Sequence, residues 1–413
     1  FAASKANDEF RIFCLGGSTV QGRPYAIETS FTTWLELSLK AAHPDRQWQV
    51  INCGGISYAS YRLVPILEEV LQYEPDLILV YTGHNEFLED RSYDSVKRRS
   101  AYLAPLFRIA SHSRCFNVLR ESVRPPSPPP PNLLAKEVEA RLDYRGGLEQ
   151  YERDPVWSAG VAEHFGINLQ RIIAKCRAAG VPLIMCDPVR NLRDCPPFKS
   201  LHRTDMTPEE LMKLTDLRGA ASAHYRDNPP RAIEDLRAAL RIDDQHAGLW
   251  YDLAKAYELV GDYEQARTAY ERSADTDICP LRLTTPLRDV LHQVAEETGI
   301  TLVPVKNLFD EKCRYGIPGG YLLVDHVHPS ISGHQMIAEL IMDELQTRGV
   351  VESQPNWREA RDRIYADHTD SLDDTYYMKG QRRLEGLRRW AQGRSDIEPP
   401  KKSPDPAAEP AES

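Results

Sequence analysis

From Arg11 to Gly22 the chain reads "RIFCLGGSTVQG", an apolar run that stops abruptly at two glycines, a serine and a threonine. A brief apolar run closed by glycine reads as a buried strand that ends in a tight turn. Ser18 stands in that turn, either to finish it or as a hydroxyl placed for attack. Runs of the same kind recur: "FRIFCLGG" from Phe10 itself, "QVINCGG" from Gln49, "DLILVYTG" from Asp76, "VPLIMCDP" from Val181 and "ITLVPV" from Ile300. Helical patterns lie between and after them, namely "SFTTWLELSLKAAH" from Ser30, "YRLVPILEEVLQYEP", "EHFGINLQRIIAKCRAAG" ending at Gly180, "TPLRDVLHQVAEETG" and "SGHQMIAELIMDELQTRG". Strands that alternate with helices imply βαβ units and a parallel sheet of about five strands covered on both faces. Ligands of such sheets collect at the carboxyl ends of the strands, where each of these runs places its polar residues.

The 413 residues are 41% hydrophobic with a formal net charge of −10, enough for one sizeable core with smaller appendages. The acidic balance argues against nucleic acid as a partner, because phosphate binding calls for a basic surplus. Eight cysteines are scattered without a CxxC pair, which suggests neither a zinc site nor a redox motif. No run reaches the roughly 18–20 apolar residues of a membrane span. The first residue is Phe1 rather than Met, so a trimmed N-terminal targeting or anchoring segment is compatible with the sequence.

Two stretches interrupt the alternation. Residues 90–132 run through an apolar segment into "RPPSPPPPN" and read as an extended arm or lid. Residues 206–280 are helical and self-similar at a period of 34. Trp250, Leu253, Ala254, Tyr257, Gly261, Tyr263, Ala266, Tyr270 and Pro280 stand at the spacings of a tetratricopeptide repeat, which this stretch resembles. Ala232, Leu236 and Ala239 match a more degenerate preceding unit. Two units are fewer than a free-standing array wants, so the insert is expected to lean on the core or on a partner chain. After Val350 the chain is polar and helical and then ends in a Pro-, Glu- and Ala-rich tail too poor in apolar residues to order itself. The expected organisation is therefore a first core segment at 8–205, the helical insert at 206–280, a second core segment at 281–350 and the polar extension with its tail at 351–413.

A serine becomes a nucleophile only when a base takes its proton and an acid orients that base. "YLLVDHVHPSISGH" supplies Asp325 and His328 three residues apart, a spacing that brings carboxylate and imidazole to one side. Each fragment also has a plain reading, Ser18 as a turn residue and "DHVHP" as a polar loop. A zinc reading through His326, His328 and His334 lacks a completing carboxylate or cysteine set.

Taken together, "LGGSTVQG", "INCGGISYAS", "YTGHNEF" and "DHVHP", in this order and each near a strand end, resemble the motif blocks of the SGNH (GDSL-type) hydrolases. The resemblance spans residues 8–205 and 280–348. It implies a flavodoxin-like three-layer α/β/α sandwich and ester hydrolysis through an acyl-enzyme, with no cofactor. By the same resemblance Ser18 is the nucleophile, His328 the general base and Asp325 its orienting acid. The oxyanion donors are the Ser18 N–H, a second-block glycine N–H and the Asn85 side-chain amide. Gly55 is taken as that glycine, although Gly54 adjoins it and another alignment places Tyr58 there. The first block has Gly17 where the family usually has Asp, and the third has Glu86 where Asp is usual. His84, Glu86, Asp187, Arg190 and Asn191 are expected at the cleft rim, for substrate contact or for structure.

These readings favour a serine hydrolase acting on an ester, such as a short acyl group on a carbohydrate or lipid. O-acyl transfer by the same residues is the alternative. A third reading makes the chain a repeat-based interaction protein on a non-catalytic core. The repeats are expected to take a protein or peptide partner. The resemblance leans towards a bacterial envelope protein tethered ahead of the hydrolase block.

Overall fold

Strand β1 (Glu9–Gly16) is apolar on both faces, and Ile12, Phe13, Cys14 and Leu15 are all buried, as a central strand of a covered parallel sheet requires. The computed structural model describes residues 1–89, 138, 140–143 and 147–394. After β1 comes a single helical turn, α1 (Ser18–Gln21), closed by Gly22 at φ 92°. Next are α2 (Phe31–Ala42), β2 (Gln47–Gly54), α3 (Ser60–Val70), β3 (Leu77–Tyr81), α4 (Pro155–Ala178) and β4 (Leu183–Cys186). Four helices follow, α5 (Pro208–His224), α6 (Pro229–Ile242), α7 (Ala247–Leu259) and α8 (Tyr263–Thr276). The chain then runs through α9 (Thr285–Thr298), β5 (Thr301–Val303), α10 (Val305–Lys312), α11 (Ile331–Thr347), α12 (Trp357–Asp370) and α13 (Asp374–Arg394).

The five strands are all parallel in the order β2-β1-β3-β4-β5, which is the flavodoxin-like order. Because side chains alternate along a strand, Ile12, Cys14, Leu79, Tyr81, Ile184 and Cys186 pack with α2 and α11 on one face. Phe13, Leu15, Ile78, Val80 and Met185 turn to the opposite face, where α3, α4 and α9 pack side by side. The expected α/β sandwich is therefore present. Its helices start where caps exist: Ser30 Oγ accepts the Thr32 N–H, and Asp154 Oδ1 accepts the Trp157 N–H at 2.8 Å. The latter cap starts α4 eight residues before the Glu163 expected from the apolar periodicity.

Contacts divide the chain into two compact units, Phe1–Cys195 with Cys279–Leu384, and Pro196–Ile278 with the chain from Glu385 onward. In the first, the segment after Val350 packs on the sandwich. Tyr365 packs against Trp34 with tilted rings 4.6 Å apart and donates its hydroxyl to the Trp34 carbonyl, while Tyr376 meets the Thr29 hydroxyl at 2.7 Å. Amphipathic Tyr and Trp side chains make this polar stretch adhere, which its charged composition hid. In the second unit α5 to α8 bury Ala232, Leu236, Ala239, Ala254, Tyr257, Ala266 and Tyr270, the residues of the 34-residue period. Asp277 accepts the backbone N–H groups of Phe198 and Lys199 at 2.8 and 3.0 Å and so ties the two ends of the insert together. The arm expected at 90–132 and the tail from 395 lie outside the described residues.

The turn after β1 is held by Asn52 at the end of β2. Its amide donates to the Val20 carbonyl and to Thr32 Oγ1, and its Oδ1 accepts the Gly54 N–H at 3.0 Å. Asn52→Ala would strand these groups, so it is expected to lower the stability read from urea unfolding by about 1–3 kcal/mol. An unchanged midpoint and slope would show that the turn holds itself.

Candidate active site

The first strand and the third converge at their carboxyl ends. A Cβ on Gly16 would lie 2.2 Å from the Tyr81 carbonyl oxygen, so only glycine permits this approach. At Gly17 a Cβ would lie 2.6 Å from Asn85 Nδ2. The Gly-Gly pair thus lets β3 and the Asn85 amide close on the turn that carries Ser18. Ser18 is the first residue of α1, where backbone N–H groups have no partner within the helix.

Across from it, the segment after α10 folds back on itself. Leu323 and Pro329 form an antiparallel bridge, and the Ser330 N–H donates to the Leu322 carbonyl at 2.8 Å. Between these ends Asp325 Oδ1 accepts the backbone N–H groups of Val327 and His328, each at 2.9 Å. Its Oδ2 meets His328 Nδ1 at 2.6 Å, and His328 Nε2 lies 2.7 Å from Ser18 Oγ. Burial by itself would raise the Asp325 carboxyl, but the charges of His328 and His326 and these hydrogen bonds hold it well below the usual carboxylate range. Ionised Asp325 therefore fixes the proton of His328 on Nδ1 and leaves Nε2 to accept the Ser18 hydroxyl proton.

Asn191 supports this loop from behind. Its amide donates to the Asp325 carbonyl at 2.9 Å and its N–H to the His326 carbonyl at 3.0 Å. Arg282 in turn donates to the Asn191 and Cys195 carbonyls. Asn191 is thus a positioning residue rather than a rim contact, because its side chain is spent on backbone.

The second block departs from the expectation. Gly55 cannot be the donor in this arrangement, since its N–H is given to the Gly16 carbonyl at 3.1 Å. The Gly54 N–H goes to Asn52 and the Tyr58 N–H to the Gly55 carbonyl. Ser57, two residues on, holds φ at 61° in the left-handed region, a conformation uncommon outside glycine and worth attention near a site. The sequence signal for it was absent because serine advertises no such backbone. Asn85 gives one amide hydrogen to the Tyr58 carbonyl at 3.0 Å and retains a second.

The remaining rim candidates separate by their partners. His84 lines a small cavity with Gly17, Ser18, Tyr58, Thr82 and Asn85. Its Nδ1 accepts the Leu283 N–H at 3.1 Å, and burial holds the ring well below the usual imidazole range, so Nε2 carries the proton. Among the described residues that Nε2 and Thr82 Oγ1 are buried without a hydrogen-bond partner. Glu86, by contrast, faces away from the cavity residues: it accepts the Ser60 N–H and hydroxyl at 2.8 Å each and so caps α3. Asp187 is engaged by Arg288 at 2.8 Å and His292 at 3.0 Å, and Arg190 donates to the Leu283 carbonyl and Thr285 Oγ1. Both tie the end of β4 to the start of α9, so of the two roles expected of Glu86, Asp187 and Arg190 these contacts favour the structural one over substrate contact.

Of the three histidines of the zinc reading, two are engaged at ring nitrogens. Both ring nitrogens of His328 are used, and His334 Nδ1 accepts the Phe31 N–H at 3.2 Å. Burial brings His326 down to about 4 and His334 to about 3, so both rings are neutral near pH 7. Among the described residues no group of three His, Cys, Asp or Glu side chains is placed to hold a metal ion, and no helix is long and apolar enough to cross a membrane.

Comparison with known proteins matches a tetratricopeptide-repeat family model to residues 224–277. Among solved structures the chain is similar to Axe2, an acetylxylan esterase from Geobacillus stearothermophilus, at 16% identity over 81% of this chain and 94% of that one, with a TM-score of 0.36. It is also similar to the acetyl xylan esterase AlAXEase, at 12% identity over 81% and 100% with a TM-score of 0.36. A third is LAE5, an alpha/beta hydrolase enzyme from the metagenome of Lake Arreo, Spain, at 12% identity over 81% and 94% with a TM-score of 0.37. No curated protein matches the sequence.

Glu86 makes the site region pH-sensitive. Burial raises its carboxyl to about 7 against an ordinary 4.5, despite the two bonds from Ser60. The folded chain therefore keeps a proton that the unfolded chain releases. This contribution to stability is complete below about pH 4.5 and is lost as pH rises through 7. Relative to Glu86→Gln, the parent should lose about 3 kcal/mol of unfolding free energy between pH 5 and pH 8.5. Parallel pH profiles for the two proteins would show that Glu86 titrates normally.

Proposed function

We propose that this protein is a serine esterase that removes a short acyl group through an acyl-enzyme on Ser18. The reading is carried by one observation, the continuous chain from Ser18 Oγ through His328 to Asp325 at 2.7 and 2.6 Å. A serine, an imidazole and a buried carboxylate in hydrogen-bond reach are what acyl transfer to a hydroxyl nucleophile needs. In the proposed sequence His328 Nε2 takes the Ser18 proton as Oγ bonds to the ester carbonyl carbon. The carbonyl π electrons move to oxygen, and the Ser18 N–H and the remaining Asn85 amide hydrogen supply donors to that oxyanion. As the tetrahedral adduct collapses, the C–O bond to the alcohol breaks and His328 returns the proton to the departing oxygen. A water molecule, deprotonated by the same nitrogen, then releases the acid and restores Ser18.

The cavity beside Ser18 favours a small acyl group. Its free volume is about 10 Å³, room for little more than one water-sized group. Its lining residues include His84 and Thr82, each with a buried polar atom, and an alkyl chain packed there would offer those atoms no hydrogen bond. Both features favour acetyl over fatty acyl esters. We further propose that the repeats serve a separate binding role.

A fluorophosphonate probe should label the parent, and p-nitrophenyl acetate should be cleaved at least about tenfold faster than the octanoate ester, as judged by kcat/KM. Ser18→Ala or His328→Ala should lose roughly 1,000-fold or more in kcat. Full activity in Ser18→Ala, or no labelling of the folded parent, would sink the assignment.

Gly17→Ala gives a separate test, because Gly17 has an ordinary extended backbone at φ −86° and an alanine there conflicts only with its neighbours. Displacing the Asn85 amide should lower kcat about 10–1,000-fold while the thermal midpoint changes by only a few degrees. Equal loss of stability and activity would point to a general disturbance instead.

A further inference from the structure

The second unit contains a groove with no part in the proposed chemistry. Its floor is Leu240, Leu253 and Tyr257, all buried, and its rim carries Arg237 and Arg241 from α6 and Arg272 from α8. Among the described residues none of these three guanidinium groups has a carboxylate within ion-pair distance, although Asp244 also lines the groove and other arginines in the same unit do pair: Arg203 with Asp205, Arg218 with Asp252, Arg231 with Glu234 and Arg267 with Glu271. Shortage of acids is not the cause, for residues 196–278 hold sixteen Asp and Glu against eleven Lys and Arg. Arg237 and Arg241 stand four apart on one helix, a like-charge spacing that costs stability unless an anion intervenes.

The aromatic rings narrow the ligand class. Arg237 lies over the Tyr257 ring at 5.5 Å and Arg272 over the Trp250 ring at 5.9 Å. Guanidinium already covers these ring faces, so the rings are poor platforms for stacking a sugar or a base. What the groove offers instead is two stacked guanidinium forks, with Arg241 beside them, over an apolar floor. Such forks match carboxylates in a bidentate manner, and the floor takes an aliphatic or aromatic side chain.

We propose that this groove binds an acidic peptide segment of a partner protein, with glutamate or aspartate side chains on Arg237, Arg241 and Arg272 and one apolar side chain on the Leu240, Leu253 and Tyr257 floor. The site is independent of the esterase reading. The test is fluorescence anisotropy of the full chain at low salt with a fluorescein-labelled peptide of alternating Glu and Leu, its Gln-for-Glu counterpart and a labelled oligothymidylate. The acidic peptide should bind and weaken as salt rises. The Gln peptide should bind at least about tenfold less tightly, as should the acidic peptide to Arg241→Glu/Arg272→Glu, since charge-assisted pairs carry the contact. Both arginines are exposed, and an unchanged circular dichroism spectrum and thermal midpoint establish that the variant folds. The proposal is overturned if the acidic peptide does not bind, if the Gln peptide binds equally well, or if the folded variant binds as the parent does. It is also overturned if oligothymidylate binds more tightly than the acidic peptide and loses that binding in the variant, which would mark a nucleic-acid site.

Discussion

A carboxylate buried as Asp325 is survives ionised only if donors surround it, and here its own loop supplies them. Val327 and His328 give backbone N–H groups to one oxygen, and the His328 ring gives its Nδ1 proton to the other. Because the loop must curl around the charge to do this, the imidazole has one orientation, with Nε2 turned to Ser18. Asn191 and Arg282, bonded to the backbone behind it, keep the loop from relaxing away. The electrostatic demand of one side chain thus sets the position of three.

The opposite wall is set by sterics rather than charge. β1 and β3 approach so closely at their ends that Gly16 admits no side chain against the Tyr81 carbonyl. Gly17 then leaves room for the Asn85 amide. A side chain at position 17 would occupy the space of that amide, so glycine there exchanges a side chain of its own for the closer approach of Asn85.

Much of this was legible in the sequence because it follows from pattern. The five strands coincide with the apolar runs that announced them, β1 and β2 starting one and two residues earlier; Ser18 and Asn85 stand in turns that two of these runs end in, whereas Asp325 and His328 lie in a loop beyond α10. Proximity of Ser18 to His328 was not readable from spacing, since 310 positions separate them and only the sheet order brings their loops together. The rim residues misled for a related reason. Asp187 and Arg190 sit at a strand end, where ligands gather, but the start of α9 reaches the same place and consumes them. Gly55 failed because a glycine suggests a free backbone N–H, while parallel pairing extended one residue further and took it. The left-handed backbone of Ser57 carries no compositional mark.

Glu86 and Asp325 show why motif residues of the same type need not share a role. Both are buried carboxyls within reach of backbone N–H donors. Asp325 also faces imidazole charge, and that addition turns the balance from the raised carboxyl that burial alone produces to a lowered one. Glu86 accepts the neutral donors of Ser60, Glu89 adds like charge, and burial prevails. One carboxyl is therefore held as an anion that can stabilise a developing imidazolium, and the other is poised to shed its charge and cap a helix. Position in a conserved-looking string is a weaker guide to function than the sign of the charge a residue is built to keep.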